Sequence, residues 1–453
     1  MSNEQPPAIY VVSLGCAKNL VDTEVVCGGL AVGGYLLTDD PAEADVVLIN
    51  TCSFIADARD EADAEIRAAL DWKKQRPERR VVVGGCLPQR DVESARLAYP
   101  GVDLWLGLDD VPHVARRLQE LSEDGPVAGR PFGDATYIYD HETPRIQLTP
   151  VNYAYVKIAE GCNHFCRFCA IPAIRGRYRS RPVESVIAEI KGLLEQGVKE
   201  INLIAQDTTA YGVDREDEAS LAALLRACDG LPGDHWIRVL YTHPRHFTDD
   251  VIEIMAASRK VVPYIDMPLQ HISQKMLDAM GRRTPAADIR SLIGRIRDGI
   301  PNAVLRTTFI VGYPCEGDAE YAELRDFVEQ TRFDRMGVFA FSPEEGTPAA
   351  EIREGLVPPE IAHARRDELM TIQQDTSLRK NRELIGKTVR TLVEGVTEEG
   401  SFQGRSVADA PDVDNRVSFN AAAHRDPVAE GFVDVKILEA GPYDLYGEQA
   451  GGD

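Results

Sequence analysis

Three cysteines lie within eight residues in the stretch Glu160-Gly161-Cys162-Asn163-His164-Phe165-Cys166-Arg167-Phe168-Cys169, where their spacing is C-x3-C-x2-C. A loop of this length can curl around one metal centre and present three thiolates, and it offers no fourth. Iron–sulfur clusters usually take four cysteine ligands. A four-iron cluster bound by Cys162, Cys166 and Cys169 would therefore keep one iron open to an outside ligand, and the spacing predicts an iron–sulfur site.

Two simpler interpretations of this loop stay open. One is a zinc knuckle with His164 as the fourth ligand, although tetrahedral zinc sites usually combine two well-separated ligand pairs. The other is three unrelated core cysteines. The apolar run at residues 153–159, just before the loop, predicts a buried strand. Because loops after such strands carry the chemistry of α/β proteins, the position of the loop favours a functional site.

The bulk composition predicts a soluble cytoplasmic protein of about three domains. The chain has 453 residues, of which 44% are hydrophobic, and no apolar run approaches the roughly 18 residues of a membrane span. The N-terminus lacks the basic and apolar regions of a secretory signal. Nine cysteines in such a chain indicate metal-binding or catalytic thiols in a reducing compartment rather than a disulfide framework.

The net charge of −23 bears on the partners of the protein. Self-repulsion and long-range steering disfavour polyanions and favour basic partners. A local basic patch can still bind nucleic acid within an acidic protein, so the net charge alone does not exclude it.

Three short apolar runs in the first part of the chain each end in a cysteine. Helical patterns at residues 22–32 and 57–75 separate them, and this alternation predicts a parallel, doubly wound sheet. Since the carboxyl ends of parallel strands meet at one edge of such a sheet, the three cysteines should converge and form a second three-ligand metal centre. The alternative is that they are small buried hydrophobic residues. The runs and their cysteines are residues 9–15 with Cys16, 45–51 with Cys52, and 80–85 with Cys86.

The central part of the chain predicts an open, partial barrel of six βα units that follows a linker. Pro, Gly, Asp and Thr are frequent at residues 125–150, where periodicity is lost. Helical segments at residues 182–196 and 221–228 separate strand candidates, and six units are too few for a complete eight-fold barrel. The strand candidates are residues 153–159, 200–206, 235–241, 264–270, 303–313 and 335–342.

Four arginines stand at alternate positions shortly after the cysteine loop, at 175, 177, 179 and 181. In an extended segment they would share one face, where they could hold carboxylates of a cofactor or substrate or form a solvated edge. Elsewhere, His271 suggests a proton carrier, although a hydrogen-bonded structural histidine is the favoured interpretation. Cys27 and Cys228 are assigned to the core, and Cys315, which stands where the family resemblance given below implies a glycine, is either an extra thiol near the site or a neutral change.

The last part of the chain predicts a small closed β-barrel of antiparallel strands, a fold that often binds nucleic acid. Its charge disfavours that partner, because residues 383–453 hold six Lys and Arg against fourteen Asp and Glu, a balance of 6 − 14 = −8. Nucleic-acid affinity comes largely from cations that neutralise phosphates. An acidic barrel suits a basic protein better. The strand candidates are residues 388–396, 401–409, 416–420, 431–440 and 444–448.

These motifs resemble those of one enzyme family in three ordered blocks. The C-x3-C-x2-C loop looks like the radical S-adenosylmethionine signature, with Phe168 in the expected aromatic position. Residues 13–22, 50–55 and 84–90 resemble the N-terminal domain of methylthiotransferases, and residues 393–414 resemble a TRAM domain. The resemblance implies an N-terminal domain at 1–130, a linker at 131–150, a radical S-adenosylmethionine core at 151–380 and a TRAM domain at 381–453.

The resemblance also implies the cofactors and the chemistry. Cys162, Cys166 and Cys169 would hold a [4Fe–4S] cluster whose open iron chelates S-adenosylmethionine, and a low-potential donor such as flavodoxin or ferredoxin would supply the electron. The resulting adenosyl radical abstracts a hydrogen atom that no side-chain base can remove. A second [4Fe–4S] cluster, held as metal ligands by the three N-terminal cysteines, would present the sulfur, and a second S-adenosylmethionine the methyl group.

Within the family, the target is either a transfer-RNA adenosine or the β-carbon of an aspartate in small-subunit ribosomal protein S-12. The acidic barrel and the segment from Cys162 to Pro182 resemble the ribosomal-protein branch, which is the prediction adopted here. A transfer-RNA enzyme is the alternative. A non-catalytic iron–sulfur electron carrier or scaffold is a more remote one.

Overall fold

A computed structural model describes residues 6–124, 132–422 and 426–451. These residues form three large sheets in succession and a two-stranded sheet of β7 and β8, and the N-terminal sheet is parallel with the strand order β2-β1-β3-β4-β5. Val46 and Leu48 pack against α1 on one face, and Val47 and Ile49 pack against α2 on the other, so the predicted doubly wound sheet is confirmed. Its elements are β1 (Ala8–Ser13), α1 (Ala17–Val32), β2 (Leu36–Thr38), β3 (Val46–Thr51), α2 (Ala56–Lys73), β4 (Arg80–Gly85), α3 (Cys86–Ala98), β5 (Leu104–Trp105) and α4 (Val114–Asp124).

The central sheet has six parallel strands in the order β13-β12-β11-β10-β9-β6. Helices cover its outer face, and β6 and β13 are its two edges, so the predicted partial barrel of six units is confirmed. Its elements are β6 (Tyr153–Lys157), β7 (Ala159–Glu160), α5 (Ile171–Arg175), β8 (Arg179–Ser180), α6 (Val183–Glu195), β9 (Glu200–Ile204), α7 (Leu221–Asp229), β10 (Trp236–Val239), α8 (Asp249–Ala257), β11 (Val261–Asp266), α9 (Gln274–Ala279), α10 (Ala286–Gly299), β12 (Val304–Val311), α11 (Asp318–Thr331), β13 (Arg335–Ala340) and α12 (Pro359–Arg382).

The last five strands form the predicted closed barrel, in the order β14-β15-β16-β18-β17. Four of its strand pairs are antiparallel, whereas β16 and β18 pair in parallel. Its core is apolar and includes Val393, Phe419 and Val435. Its elements are β14 (Thr388–Val396), β15 (Phe402–Arg405), β16 (Val417–Asn420), α13 (Pro427–Glu430), β17 (Phe432–Ala440) and β18 (Leu445–Gln449).

The N-terminal sheet is attached to the central sheet at both edges of the latter. At the β6 edge, Asp22 of α1 pairs with Lys157 and Arg175, and both of these also pair with Glu160. At the β13 edge, Arg59 of α2 and Arg90 of α3 both pair with Glu344, which follows β13. We call these contacts the β6-edge network and the β13-edge contact. Together they hold the N-terminal sheet across the carboxyl ends of the central strands.

The terminal barrel is attached at the opposite, amino-terminal ends of the central strands. Arg405 of β15 pairs with Glu200, the first residue of β9. In the segment after β15, Asp409 lies 2.6 Å from Arg335, and Asp414 accepts a hydrogen bond from Tyr264 at 2.5 Å. Part of the acidic excess of this barrel is therefore neutralised inside the molecule rather than presented to a partner.

The described part of the predicted linker is irregular but closely packed. Arg145 pairs with Glu24 of α1 and Glu189 of α6, both at 2.5 Å, and Tyr139 is buried beside them. Residues 125–131 of this segment lie outside the described residues. The segment from residue 132 onward therefore bridges the first two sheets instead of separating them.

Across the described ranges, the structure contains no helix that is both long enough and apolar enough to cross a membrane.

Candidate metal centres

The predicted site residues fall into two groups, both at the carboxyl ends of parallel strands. The N-terminal trio comes from three separate chain segments, and the central trio comes from one loop. None of the six cysteines is in a disulfide. The N-terminal trio is Cys16, Cys52 and Cys86, and the central trio is Cys162, Cys166 and Cys169.

The N-terminal trio converges as the strand pattern predicts. Cys16 precedes α1, Cys52 directly follows β3, and Cys86 is the first residue of α3 directly after β4. Gly15 has a φ of +87°, and a side chain there would lie 2.4 Å from the Cβ of Cys52. Only glycine therefore lets the strand bearing Cys16 approach the strand bearing Cys52.

Two buried asparagines fix the strand ends that carry this trio. The Asn19 amide donates to the carbonyl oxygens of Leu14 at 2.7 Å and of Asn50 at 3.2 Å. The Asn50 amide in turn donates to the carbonyl oxygen of Asn19 at 2.9 Å and to the hydroxyl of Thr23 at 2.8 Å. This reciprocal pair binds α1 to β3, so the positions of Cys16 and Cys52 depend on each other.

The three N-terminal thiols have different electrostatic environments. Burial raises the pKa of Cys86 to about 12, although Arg175 Nη2 lies 3.3 Å from its Sγ and opposes the shift. Burial also raises the pKa of Cys52. Cys16 keeps access to solvent; crowding by the protein opposes its ionisation, but the charges of Lys18 and Arg175 outweigh this and lower the pKa of Cys16. Of the three N-terminal thiols, Cys16 is therefore the one most readily deprotonated.

The β6-edge network joins this trio to the central loop. Arg175 Nη1 lies 2.6 Å from Asp22 and 3.2 Å from Glu160, while Lys157 lies 2.5 Å from Asp22 and 2.6 Å from Glu160. Burial opposes ionisation of Glu160, but Lys157 and Arg175 hold the pKa of this carboxyl well below its usual range. The Arg175 guanidinium thus contacts Cys86 and also pairs with Glu160, which lies two positions before Cys162.

The central loop has a tightly specified backbone. Gly161 has a φ of +80°, and a side chain there would lie 2.2 Å from the carbonyl oxygen of Arg177. Phe165 is also left-handed, at a φ of +50°, and is exposed. The amide of Cys162 donates to the carbonyl oxygen of Gly176 at 3.2 Å. The loop is therefore held in a turn that returns its thiols toward one another.

None of the central cysteines is exposed: Cys166 is buried, and Cys162 and Cys169 are partly buried. Burial raises the pKa of Cys162 to about 11 and that of Cys169 to about 12, and the neighbouring Cys166 adds to both. Arg282 places Nη1 3.8 Å from the Sγ of Cys166, and its Nη2 donates to the carbonyl oxygen of Pro268 at 2.6 Å. Because bound thiols must be deprotonated, loading this loop with metal releases protons.

A cluster of histidines around Asp207 holds the central loop in place. Asp207 accepts hydrogen bonds from His164 Nε2 at 2.6 Å and His246 Nδ1 at 3.0 Å. Burial opposes ionisation of Asp207, but these bonds hold its pKa well below its usual range. His243 stacks on His164 with ring centroids 3.8 Å apart, and burial together with Arg282 keeps its pKa well below normal. The cluster fixes the loop between Cys162 and Cys166.

The geometry of the described residues bears on the zinc alternative. Three thiolates on one tetrahedral zinc would lie about 3.8 Å apart, given Zn–S bonds of about 2.3 Å. Among the described residues, the one set of three potential ligands whose atoms all lie within 4.8 Å is His164, Asp207 and His246, and neither cysteine trio has that spacing. His164 is hydrogen-bonded to Asp207 and does not join the cysteines. The spacing of neither trio therefore matches a single zinc ion, and N–H groups of Arg175 and Arg282 lie near the sulfurs of Cys86 and Cys166.

The prediction that four alternate arginines share one face is wrong. Gly176, with a φ of +75°, breaks the extended run, and each arginine has a different environment. Arg175 lies in the β6-edge network, Arg177 is exposed, Arg179 donates to the carbonyl oxygen of Tyr137, and Arg181 pairs with Glu189 at 2.5 Å. These side chains stabilise the fold rather than forming a carboxylate-binding row.

The remaining predicted residues lie outside both trios. Cys27 and Cys228 are buried in helices, as expected for core residues. His271 is fully buried, with Nε2 3.1 Å from Glu316 and Nδ1 accepting from the amide of Ser273, which confirms the structural interpretation. Cys315 has a φ of +70°, a conformation that explains why glycine is expected there.

The sequence interpretation missed several residues near the site. Lys18 is 8% exposed, and its Nζ lies 3.1 Å from the centre of the Tyr241 ring. Asp207 was not recognised as the anchor of the histidines, nor Glu344 as the acceptor of two arginines. Their positions in the sequence could have identified them. Each of these residues lies within a few residues of a trio cysteine or of the carboxyl end of a strand.

Three families match successive parts of the chain. Residues 8–107 match the Uncharacterized protein family UPF0004, residues 156–328 match the Radical SAM superfamily, and residues 385–449 match the TRAM domain.

Relatives named "Ribosomal protein uS12 methylthiotransferase RimO" align with nearly the whole chain. The relative from Syntrophotalea carbinolica is 45% identical, with 97% of this chain and 96% of the relative covered. The one from Trichlorobacter lovleyi is 43% identical, with 99% of each covered.

Among solved structures, the radical S-adenosylmethionine methyltransferase TsrM from Kitasatospora setae, determined with tryptophan and a SAM analogue, has a TM-score of 0.56 at 16% identity. The match covers 80% of this chain and 82% of that one. The cobalamin-dependent S-adenosylmethionine radical enzyme OxsB has a TM-score of 0.52 at 14% identity, covering 82% of this chain and 56% of that one. At such identities these two structures support the fold alone.

Proposed function

Since the chain belongs to the RimO family of ribosomal protein uS12 methylthiotransferases, we propose that it attaches a methylthio group to the β-carbon of an aspartate in ribosomal protein uS12. It is a radical S-adenosylmethionine enzyme. Relatives named for ribosomal protein uS12 at 42–45% identity do not favour the transfer-RNA alternative. Membership in a family of enzymes also removes the basis for a non-catalytic electron carrier.

One observation carries the proposal at the level of the site. Two cysteine trios occur in the same molecule, and the Arg175 side chain links them by contacting Cys86 and pairing with Glu160 beside Cys162. A single trio would be enough for radical generation. A second trio beside it is what a sulfur-inserting enzyme requires, because the inserted sulfur needs a binding site of its own.

S-adenosylmethionine and an iron–sulfur cluster are cofactors of this enzyme class. We assign the cluster that binds S-adenosylmethionine to Cys162, Cys166 and Cys169, and a second cluster to Cys16, Cys52 and Cys86. When bound, these groups would supply a radical that abstracts a hydrogen atom from an unactivated C–H bond, and a transferable sulfur. A bond of this kind has no useful acidity, so no side-chain base of the chain can remove that hydrogen as a proton.

The chain's own residues bind, orient and exclude water. Arg282 and Arg175 place N–H groups beside the sulfurs of Cys166 and Cys86. The Asp207–histidine cluster orients the central loop. The N-terminal sheet, held across the carboxyl ends of the central strands by the β6-edge network and the β13-edge contact, restricts the access of water, which would quench reactive species.

Three further assignments belong to the same proposal. The electron donor is a low-potential carrier such as flavodoxin or ferredoxin, because reductive cleavage of S-adenosylmethionine requires one. The enzyme acts in the cytoplasm, where its ribosomal target is made. The functional domains are residues 1–130, 151–380 and 381–453, joined through 131–150.

The test is a reaction of the anaerobically reconstituted protein with a reductant, S-adenosylmethionine and ribosomal protein uS12. Mass spectrometry should find one methylthio group on an aspartate, and transfer RNA offered in parallel should stay unmodified. Methylthiolated transfer RNA with unmodified uS12 would contradict the proposal.

Two cysteine variants test the division between the trios. Cys166→Ala should abolish reductive cleavage of S-adenosylmethionine, whereas Cys52→Ala should still cleave it but form no methylthiolated product. Cys228→Ala, which changes a buried cysteine outside both trios, is the matched control. Product formation by Cys52→Ala would show that the second trio has no role in sulfur transfer.

A further inference from the structure

Lys18 is a buried cation whose charge has no carboxylate partner in the part of the chain that the structure describes. It is 8% exposed and lies two residues after Cys16. Other buried cations nearby are paired: Lys157 with Asp22 and Glu160, and Arg175 with the same two acids. Burying an ammonium group is costly unless an anion compensates it. Among the described residues, Cys16 and the Tyr241 ring are the groups that offset the charge of Lys18, and neither of them is a carboxylate.

The contacts of Lys18 place it between the two trios. Its Nζ lies 3.1 Å from the centre of the Tyr241 ring, and Tyr241 follows β10 at the carboxyl edge of the central sheet. The backbone carbonyl of Tyr241 accepts from the amide of Thr208 at 3.0 Å. Thr208 follows Asp207, which anchors His164 of the central loop. Lys18 thus lies in the chain segment that carries Cys16, but its side chain contacts the edge of the central sheet that carries the central trio.

We propose that Lys18 binds the side-chain carboxylate of the aspartate that this enzyme modifies, an inference that rests on the proposed function and names how its substrate is held. The β-carbon of an aspartate is bonded directly to its carboxylate carbon. A charge-assisted hydrogen bond to the carboxylate therefore also fixes the position of the reacting carbon, which is one bond away. This position lies beside Cys16 of the N-terminal trio. Such fixed placement is a large part of the rate gain in bimolecular enzyme steps.

The other cations at this edge are less suited to the role. Arg175 already pairs with two carboxylates. Arg282 donates to the carbonyl oxygen of Pro268 and faces Cys166, on the central side. A neutral adenine offers no anion to Lys18, so the same residue discriminates against a nucleobase in this position.

The experiment measures binding and turnover by the anaerobically reconstituted enzyme with two uS12 peptides, one with the target aspartate and one with asparagine in its place. Wild type should bind the aspartate peptide about 10- to 100-fold more tightly, the range expected for a hydrogen bond to a buried charge. Lys18→Gln should lose that preference and raise KM for the aspartate peptide by a similar factor. Lys18→Arg should restore part of it. Lys74→Gln, which removes an exposed lysine, is the matched control and should resemble wild type.

The outcomes separate this inference from the proposed function. If wild type modifies the aspartate peptide but binds both peptides equally, or if Lys18→Gln keeps the preference, the inference is wrong and the proposed function stands. If wild type modifies neither peptide nor intact uS12, both are wrong. Iron content and melting temperature show whether Lys18→Gln is folded. If it is not, the inference is decided by how wild type and Lys18→Arg bind the two peptides.

Discussion

The N-terminal trio and the central trio reach similar arrangements by different routes. Cys16, Cys52 and Cys86 come from three βα units and meet only when a parallel sheet has formed. Cys162 and Cys166 lie four residues apart in one loop, which local turns and Gly161 fold back on itself. The first trio therefore depends on long-range packing and the second on local conformation. Damage to the N-terminal sheet should affect the first trio selectively.

The supports of the two trios differ in the same way. Neutral amide groups, those of Asn19 and Asn50, fix the strand ends of the N-terminal trio. A charged carboxylate, Asp207, fixes the central loop through two histidines. Among these polar supports, the β6-edge network is shared by both trios, because Arg175 contacts Cys86 and pairs with Glu160. Three of the four predictions that follow test this contrast between separate supports and a shared connection, and the last checks that only the six trio cysteines matter.

The largest effect is expected from Glu160→Gln, which acts on the shared connection. Lys157 and Arg175 would keep only Asp22 as a counter-ion, and breaking a buried ion pair costs about 3–5 kcal/mol. Urea unfolding should show that loss in the free energy of unfolding, and iron should be lost from both trios together. Glu253→Gln, at an exposed position of α8, should change the free energy by less than about 0.5 kcal/mol. Loss of iron from one trio alone would show that the network does not couple them.

Asp207→Asn should affect the central trio selectively. Asparagine keeps an oxygen to accept the hydrogen bond from the amide of Thr209 but loses the charge that holds His164 and His246. Removing such a supporting group typically lowers metal affinity about 10- to 100-fold. Chelation kinetics should become biphasic, with only the S-adenosylmethionine-cleaving cluster released faster. Asp326→Asn, at an exposed residue, is the control, and uniform release from both trios would contradict the contrast.

Acid should weaken the shared connection before it affects the neutral supports. The pKa of Glu160 is lowered in the folded protein, so the stability it contributes is present above its unfolded pKa of about 4.3 and is lost as the pH falls toward the folded pKa. Each such carboxylate contributes a slope of up to about 1.4 kcal/mol per pH unit. Melting of the metal-free protein between pH 3 and pH 5 should therefore depend less steeply on pH in Glu160→Gln than in wild type. Equal slopes would show that this carboxylate titrates normally.

Cys315→Gly should have the smallest effect and leave both trios intact. Cys315 holds a left-handed backbone with a φ of +70°, which costs a residue other than glycine roughly 1 kcal/mol or more. Glycine should raise the melting temperature slightly or leave it unchanged, with the iron content as in wild type. A fall in iron content would assign this thiol a role that its position outside both trios does not indicate.

Much of this arrangement follows from sequence pattern, where the pattern is local or periodic. The valine and isoleucine runs before Cys16, Cys52 and Cys86 predict parallel strands, and parallel strands bring their ends together. The alternate arginines from Arg175 to Arg181 mislead, because one left-handed glycine ends the extended run and the partners lie far away in sequence.

Asp22 is 153 residues from Arg175, and Arg59 and Glu344 are separated by 285. No periodicity predicts such pairs. Lys18 is a similar case, since its burial depends on a tyrosine in another sheet.

The two attachments of the N-terminal sheet have a consequence for motion. A domain that is attached along one side can rotate open about that side. A domain that is attached along both sides can open only if the contacts along one side break. Here the β6-edge fastening is buried and the β13-edge fastening is partly buried, and rupture of either leaves charges uncompensated. The N-terminal sheet is therefore held as a bridge across the central strands, and opening it at one side costs that side's ion pairs.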